Sequence, residues 1–443
     1  MSGRSINQPV PDRMAEFATF QWNEVFPFYD EIWKWRTLAF VLAFTCLGGL
    51  FTNLYMIEWL NLPHFNGSRS FRFMTKFGRQ FLSRGTILSE DSCESLKNIV
   101  YIKTHKTGST TLATILYRFG YHRNLSFLFT ANQPRGHFRQ VPITLKSLPG
   151  MYPPVGVRHG DYENYKFNIS AGHVIYRNRS ILDFLIYGQP KYITIIREPV
   201  QQFISYFSFF HFDRRFMKEA NISAKEEFAH MTEFLNQPLK YAIENRNINL
   251  YITDRNPQSF DLGLPLREMD NPIFISDFIA RIEADFDLVL ITEYLDESLI
   301  LMKKQFCWNM NDILYFRMNV RHSEPTEIPE NLKMKLLQWN NADVYLYKHF
   351  NRTLWRKIQS YGPTFYTDLR DFQKRLEELR NECIEGQNRV KSKYVNVLKA
   401  NSSDICKDVN KSLSTYFKQI TKRQKVTSKQ RNSTLNSENI TLH

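Results

Sequence analysis

The chain has no Cys-x-x-Cys pair and no His-rich tract, so nothing in it carries the ligand spacing of a metal site. It also lacks the Walker A order of Gly, four residues, then Gly-Lys-Ser/Thr, and no obvious carboxylate set for Mg²⁺ stands out. Both absences weaken a kinase reading. There is no internal repeat, which excludes solenoids and propellers. Cysteine is scarce, five in 443 residues, and acidic residues are in deficit: 44 Asp and Glu face 58 Lys and Arg, for a net charge of +14. A basic balance of this kind suits nucleic acid, anionic lipid headgroups or acidic glycans.

What is present begins with a run free of charge. Thr37 to Ile57 (TLAFVLAFTCLGGLFTNLYMI) is 21 residues long, enough to cross a hydrocarbon core of about 30 Å. It is longer than a signal-peptide h-region and ends in Tyr-Met-Ile-Glu-Trp rather than at small residues, so it reads as a signal-anchor. Lys34 and Arg36 precede it and Glu58 follows, which favours an inside N-terminus, whereas Arg69, Arg72, Lys76 and Arg79 pull the other way. Ten Asn-x-Ser/Thr sequons, at Asn66, Asn124, Asn168, Asn178, Asn221, Asn351, Asn401, Asn410, Asn432 and Asn439, all follow the run and decide for a type II topology. A lumenal location argues against nucleic acid as a partner. It also puts Cys93, Cys307, Cys383 and Cys406 in an oxidising compartment, where three pairings are open.

The most informative stretch is Asn98-Ile-Val-Tyr-Ile-Lys103-Thr-His105-Lys106-Thr107-Gly108-Ser109-Thr110-Thr111. The apolar Ile99 to Ile102 reads as a buried strand. Leu112, Ile115, Leu116 and Phe119, at i, i+3, i+4 and i+7, read as a helix. A strand, a hydroxyl-rich loop and a helix N-terminus make an anion site of free N–H groups and a positive dipole end, to which Lys106 adds a charge. With lysine before the single glycine, the loop resembles the 5′-phosphosulfate loop of sulfotransferases that use PAPS (3′-phosphoadenosine 5′-phosphosulfate). The bland alternative for this stretch alone is a basic solvated turn.

About ninety residues on, Lys191-Tyr-Ile-Thr-Ile-Ile-Arg197-Glu198-Pro199 reads as a second strand ending in Arg197, with Pro199 in the first turn of a helix whose Phe203, Phe207 and Phe210 share a face. Arg197 offers a planar fork of donors and Ser205 a hydroxyl. Their spacing resembles the 3′-phosphate site of PAPS-dependent sulfotransferases. Between the two turns, Ala171-Gly172-His173-Val174-Ile175-Tyr176 brings a histidine. Removing a hydroxyl proton as an O–S bond forms suits a neutral imidazole. His173 is the candidate general base and His105, inside the loop, its rival.

Taken together these segments resemble the galactose-3-O-sulfotransferase family. The match rests on the Lys103-Thr-His105-Lys106-Thr loop, Ala171-Gly172-His173 and Arg197-Glu198-Pro199. It extends through Phe286 to Leu299, Cys307-Trp308, Asp312 to Phe316 and Tyr345 to Trp355, in the family's order, over roughly residues 95 to 385. The family often carries Ala where Gly108 stands, a change that a tight loop is expected to tolerate.

The resemblance implies an α/β fold, a P-loop-like parallel sheet flanked by helices, with PAPS as co-substrate and no metal. It implies that Lys103, His105, Lys106, Thr107, Gly108, Ser109 and Thr110 hold the 5′ end of the donor, and Arg197 and Ser205 the 3′-phosphate, with His173 and Lys106 catalytic. The acceptor would be a terminal β-galactose, sulfated at its 3-hydroxyl, on galactosylceramide, a related glycolipid or a glycoprotein glycan, in the Golgi lumen. Heparan- or chondroitin-type glycans, or an inactive glycan-binding relative, are the alternatives, and a homodimer is left open.

By this reading residues 1–36 are a cytosolic tail, 37–57 the anchor, 58–94 a stem and 95–385 the catalytic domain. Its strands are expected at 99–102, 173–176, 192–196 and 287–292, and its helices at 109–119, 200–210 and 296–306. Residues 369–382 read as an amphipathic helix. With twelve Lys or Arg against four Asp or Glu over 384–443, residues 386–443 read as a flexible basic tail.

Overall fold

A computed structural model describes residues 93–129, 143–217, 222, 228–241, 253–316, 328–390 and 393–440. The segments expected to be a cytosolic tail, an anchor and, except for Cys93 and Glu94, a stem lie outside these residues. No described helix is long and apolar enough to cross a membrane.

Four strands, β1 (Ile99–Ile102), β2 (Ile169–Gly172), β3 (Lys191–Ile196) and β4 (Leu288–Ile291), form one parallel sheet in the order β2-β1-β3-β4. Parallel strands are covered on both faces and therefore read as continuous apolar runs. IVYI and LVLI are such runs, and every residue in them is buried. Because the chain passes from β1 to β2 on one side and returns to β3 on the other, a crevice opens at the carboxyl ends of β1 and β3, where ligands of open α/β sheets bind.

The principal helices are α1 (Ser109–His122), α2 (Pro199–Phe209), α3 (Pro257–Asp261), α4 (Pro272–Asp285), α5 (Leu295–Phe306), α6 (Asn341–Tyr361) and α7 (Phe365–Cys383). α1 starts after Gly108, whose φ of 68° makes the turn out of the loop. α2 begins with Pro199 and is capped by the Glu198 carboxylate, which accepts from the N–H groups of Val200 (3.1 Å) and Gln201 (2.8 Å). α7 contains the amphipathic stretch expected at 369–382 and buries Leu369, Phe372 and Leu379.

Two expectations are corrected. The strand expected at 173–176 lies at 169–172 instead, paired with β1 from Ile99↔Ile169 to Ile102↔Gly172. Ser170, Ala171 and Gly172 give no apolar signal, whereas Val174-Ile175-Tyr176 does. That apolar triplet leaves the sheet, and the Tyr176 N–H donates to the Asp261 carbonyl at 3.0 Å. The shift moves His173 from the start of a strand to the position just past its end.

The second correction concerns the C-terminal segment. In place of a flexible tail, β5 (Ile384–Val390) and β6 (Lys393–Leu398) pair antiparallel, followed by α8 (Asp404–Asn410) and α9 (Leu413–Ile440). Tyr416, Phe417 and Ile420 are buried in the main core. Gln424, fully buried, accepts from the Phe127 N–H (3.1 Å) and donates to the carbonyls of Phe127 (3.2 Å) and Pro153 (2.8 Å). The Arg423 guanidinium donates to the carbonyls of Tyr121 and Leu125. Few apolar side chains suffice here because polar ones bond core backbone, the Phe127 N–H and carbonyl among it.

Of the three cysteine pairings, the structure has Cys93–Cys307 and Cys383–Cys406. Trp308, beside the first, is a core residue stacked on Phe119 at 3.8 Å, and its indole N–H donates to the Leu96 carbonyl.

Candidate active site

The turn after β1 is wired by its own hydroxyls. The Thr104 hydroxyl donates to the Ile195 carbonyl and accepts from the Thr107 hydroxyl at 2.7 Å, while the Ser109 hydroxyl donates to the Thr104 carbonyl at 2.6 Å. From the end of β4, the Thr292 hydroxyl reaches the carbonyls of Thr107 (2.7 Å) and Ile196 (2.9 Å), tying the turn to β3. Thr107 and Ser109 are buried by these bonds, so what they offer a ligand is backbone N–H rather than hydroxyl. Lys106 (φ 62°) and Gly108 (φ 68°) are left-handed and Thr107 between them is not. A backbone alternating in this way is the kind that turns successive N–H groups toward one concavity suited to an anion, here at the head of α1. Gly108 and Thr110 stay accessible.

Beside this concavity two histidines stack, His105 on His173, with centroids 4.1 Å apart and planes 17° apart. The His173 Nδ1 lies 2.9 Å from the Lys103 carbonyl, which can only accept, so the proton sits on Nδ1. Its Nε2 is then an acceptor, and the Lys103 ammonium lies 2.8 Å from it. Burial lowers the Lys103 pKa to about 8, with Lys106 contributing and Asp261 opposing. Asp261, itself buried, receives the His105 backbone N–H at 2.7 Å and lies 2.9 Å from its Nδ1.

The turn after β3 is built differently. The Arg197 N–H donates to Gln258 Oε1 at 2.7 Å, and Gln258 Nε2 donates to the Arg197 carbonyl at 3.0 Å. Glu293 accepts the Glu198 N–H at 3.2 Å and lies 3.9 Å from Arg197 Nε. Burial pushes the carboxyls of Glu198 and Glu293 up, against the pull of Arg197. Arg197 Nη1 donates to the Lys106 carbonyl at 3.4 Å, so the two turns touch. Three α2 residues at i, i+3 and i+7 continue the contact. Gln202 Nε2 donates to the His105 carbonyl at 2.8 Å, Ser205 follows half-buried, and the Phe209 ring carries the Lys106 ammonium at 4.2 Å. Ser205 thus lies on the stripe of α2 that faces the first turn.

The residues singled out in the sequence are brought together: Lys103, His105, Lys106 and Gly108 in one turn, His173 against it, and Arg197 in contact across the crevice. Sequence reasoning missed Gln258 and Asp261, because Asp254-Arg-Asn-Pro-Gln-Ser-Phe-Asp261 has neither apolar periodicity nor a motif. Thr292 and Glu293 fell within a segment matched to the family but without a role. Trp355 is only partly buried and packs edge-on to Tyr294 at 5.1 Å.

With this geometry in hand, comparison with known proteins decides the family. A family profile described as galactose-3-O-sulfotransferase matches residues 50–399. The chain belongs to the galactose-3-O-sulfotransferase family. Galactosylceramide sulfotransferase of Mus musculus is 32% identical over 300 residues, covering 67% of this chain and 66% of the relative. Its Homo sapiens counterpart is 33% identical over the same length and shares. Galactose-3-O-sulfotransferase 3 of Bos taurus is 29% identical over 295 residues, 65% of this chain and 64% of the relative. The match therefore spans just under two thirds of the length of these family members. Among the described residues no group of three or more His, Cys, Asp or Glu is placed to hold a metal ion.

Proposed function

We propose that this family member transfers the sulfuryl group of PAPS to the 3-hydroxyl of a terminal β-galactose on galactosylceramide or a related glycan, as a type II protein of the Golgi membrane with its catalytic domain in the lumen. The observation that carries the reading is the contact between the two turns, Arg197 Nη1 on the Lys106 carbonyl. A donor with phosphate at both ends of one ribose needs two cationic turns at close quarters, whereas an ATP-like nucleotide has no use for the second. The acceptor class follows from the family and from the names of the relatives at about 32% identity.

The chemistry follows from where charge moves. The acceptor oxygen attacks sulfur in line, the new O–S bond forms, and the bond from sulfur to the 5′-phosphate oxygen breaks. The hydroxyl proton passes to His173 Nε2, the lone pair that Lys103 now occupies. An incoming hydroxyl displaces Lys103 from that nitrogen and frees its ammonium for the sulfuryl oxygens. Lys106 and the turn's N–H groups take up charge on the leaving phosphate, help worth about 3 kcal/mol per donor in comparable sites. Arg197 and Ser205 hold the 3′-phosphate. His105 is the alternative base because Asp261, by accepting from its Nδ1–H, makes the ring's other nitrogen the basic one.

Labelled PAPS offered with galactosylceramide and with a panel of glycan acceptors tests the proposal. Label recovered on the galactose 3-hydroxyl is the expected result. Label on a heparan or chondroitin chain instead would move the acceptor, and no binding of adenosine 3′,5′-bisphosphate (PAP) would end the donor assignment.

A further inference from the structure

The five-residue helix α3 touches the chain just beyond three of the four strands. Gln258, fully buried, clamps the backbone of Arg197 past β3 with one bond in each direction, at 2.7 and 3.0 Å. Asp261 holds both the backbone N–H and the ring of His105 past β1. The Asp261 carbonyl accepts from Tyr176 past β2, and Gly263 lies so close to that strand exit that a Cβ there would stand 1.8 Å from the Tyr176 carbonyl oxygen. The helix is seated from below by Asp343 of α6, a buried carboxylate that accepts from the N–H groups of Gln258 (3.1 Å) and Ser259 (2.7 Å) and from the Ser259 hydroxyl (2.6 Å). Asn256 and Asn340 cross-link the same junction, the Asn256 N–H donating to Asn340 Oδ1 at 2.8 Å and the Asp343 N–H to Asn256 Oδ1 at 3.1 Å.

We propose that α3 is the spacer that sets the separation of the two phosphate-binding turns, with Gln258 as the positioning residue for the 3′-phosphate arm and Asp261 as the positioning residue for the histidine pair. The inference rests on the donor assignment above. Neither side chain faces the crevice as a ligand. Gln258 acts through the backbone that carries Arg197, and Asp261 through His105 and the stacked His173. Strand ends alone fix where each turn begins. What α3 adds is a common reference for both turns, seated on a helix that belongs to neither.

The two arms predict opposite signatures, measured on the full-length chain in detergent with PAP and with adenosine 5′-monophosphate, which lacks the 3′-phosphate. Gln258→Ala is expected to weaken PAP about tenfold while leaving adenosine 5′-monophosphate within about twofold, since a displacement near 1 Å suffices for losses of this order. Asp261→Asn is expected to leave PAP within about threefold, to lower kcat at least about tenfold, and to move the acid limb of the kcat/KM profile to lower pH. That direction follows because the variant removes a negative charge from a site whose other titratable neighbours are His105, Lys103, Tyr206 and Asp343, with His173 beyond the His105 ring. Asp261→Glu is expected to recover part of kcat. Thermal melting of each variant separates these effects from unfolding. Parallel losses of both ligands, kcat and melting temperature in both variants would reduce α3 to a structural element, and variants indistinguishable from the wild type would overturn the spacer. A wild-type chain that binds no PAP would overturn the donor assignment itself and the spacer with it.

Discussion

The two turns proposed to hold the donor's phosphates are built differently. The first, Lys103 to Thr110, carries a hydroxyl network of its own, in which Thr104, Thr107 and Ser109 bond one another, the turn's backbone and that of β3, and Asp261, Gln202 and Thr292 add bonds from afar. The second, around Arg197, is held from afar by Gln258 and Glu293, with the Glu198 cap as a local contribution. A turn wired by its neighbours writes its conformation into a short sequence, whereas one wired by distant side chains does not. Changes within the first turn should therefore disturb it directly, whereas the second should be disturbed mainly through residues far along the chain.

The largest effects test that contrast at the cations. Lys106→Ala should lower kcat by about 100-fold or more, the scale of losing one donor to a leaving oxyanion. Arg197→Ala should act mainly on donor binding, raising KM for PAPS and weakening PAP, with smaller change in kcat. Transfer of label from PAPS, together with PAP affinity, measures both. Matching losses of kcat in the two variants would erase the distinction between a turn that serves the reaction and one that serves binding.

Next in size is the base. His173→Ala should cost about 10²- to 10⁴-fold in kcat, the usual range for a positioned proton acceptor, with PAP affinity kept. Wild-type turnover in that variant would pass the role to His105.

How much of this was legible follows the same division. The first turn, β1, β3 and β4 were readable because each strand is a bounded apolar run and the turn's chemistry is contiguous. β2 was displaced by four residues because Ser170-Ala171-Gly172 is a strand only by virtue of its pairing with β1. The C-terminal segment was misread because charge dominates its composition, while the few residues that decide its fate, Tyr416, Phe417, Ile420 and Gln424, each find a place in a core formed some 300 residues earlier. Asp261 and Gln258 left no local trace, since their partners are 156 and 61 positions away.

A pH titration sharpens the reading of Lys103. Its amine is held near 8, below the ordinary 10.5, so the folded chain gives up this proton before the unfolded chain does. Between about pH 8 and 10 the unfolded state therefore binds more protons at this site, and the group's contribution favours folding as pH rises. Activity runs the other way. Above pH 8 the ammonium that neighbours His173 Nε2 is lost, so kcat/KM should fall with an alkaline limb near pH 8. Lys103→Arg keeps the charge and should push that limb upward, whatever it does to the absolute rate. An unmoved limb would assign it to another group.

The smallest effect expected is at Gly108, and it separates space from backbone. A Cβ at this position would stand 3.5 Å from Thr292 Cγ2, an ordinary contact, so there is room for a methyl group. The conformation is the obstacle. At φ 68° the residue is left-handed, which costs an L-residue about 1–2 kcal/mol. The tight loop is expected to tolerate alanine; its geometry has room for the side chain and puts the cost in the backbone. Gly108→Ala should therefore lower stability by about 1 kcal/mol, read as a few degrees of melting temperature, and raise KM for PAPS by less than about tenfold if the turn keeps its shape. A much larger loss in PAP affinity with an unchanged melting temperature would mean that the turn relaxes out of its left-handed form and scatters the N–H groups it gathers. The first turn would then be no more self-sufficient than the second.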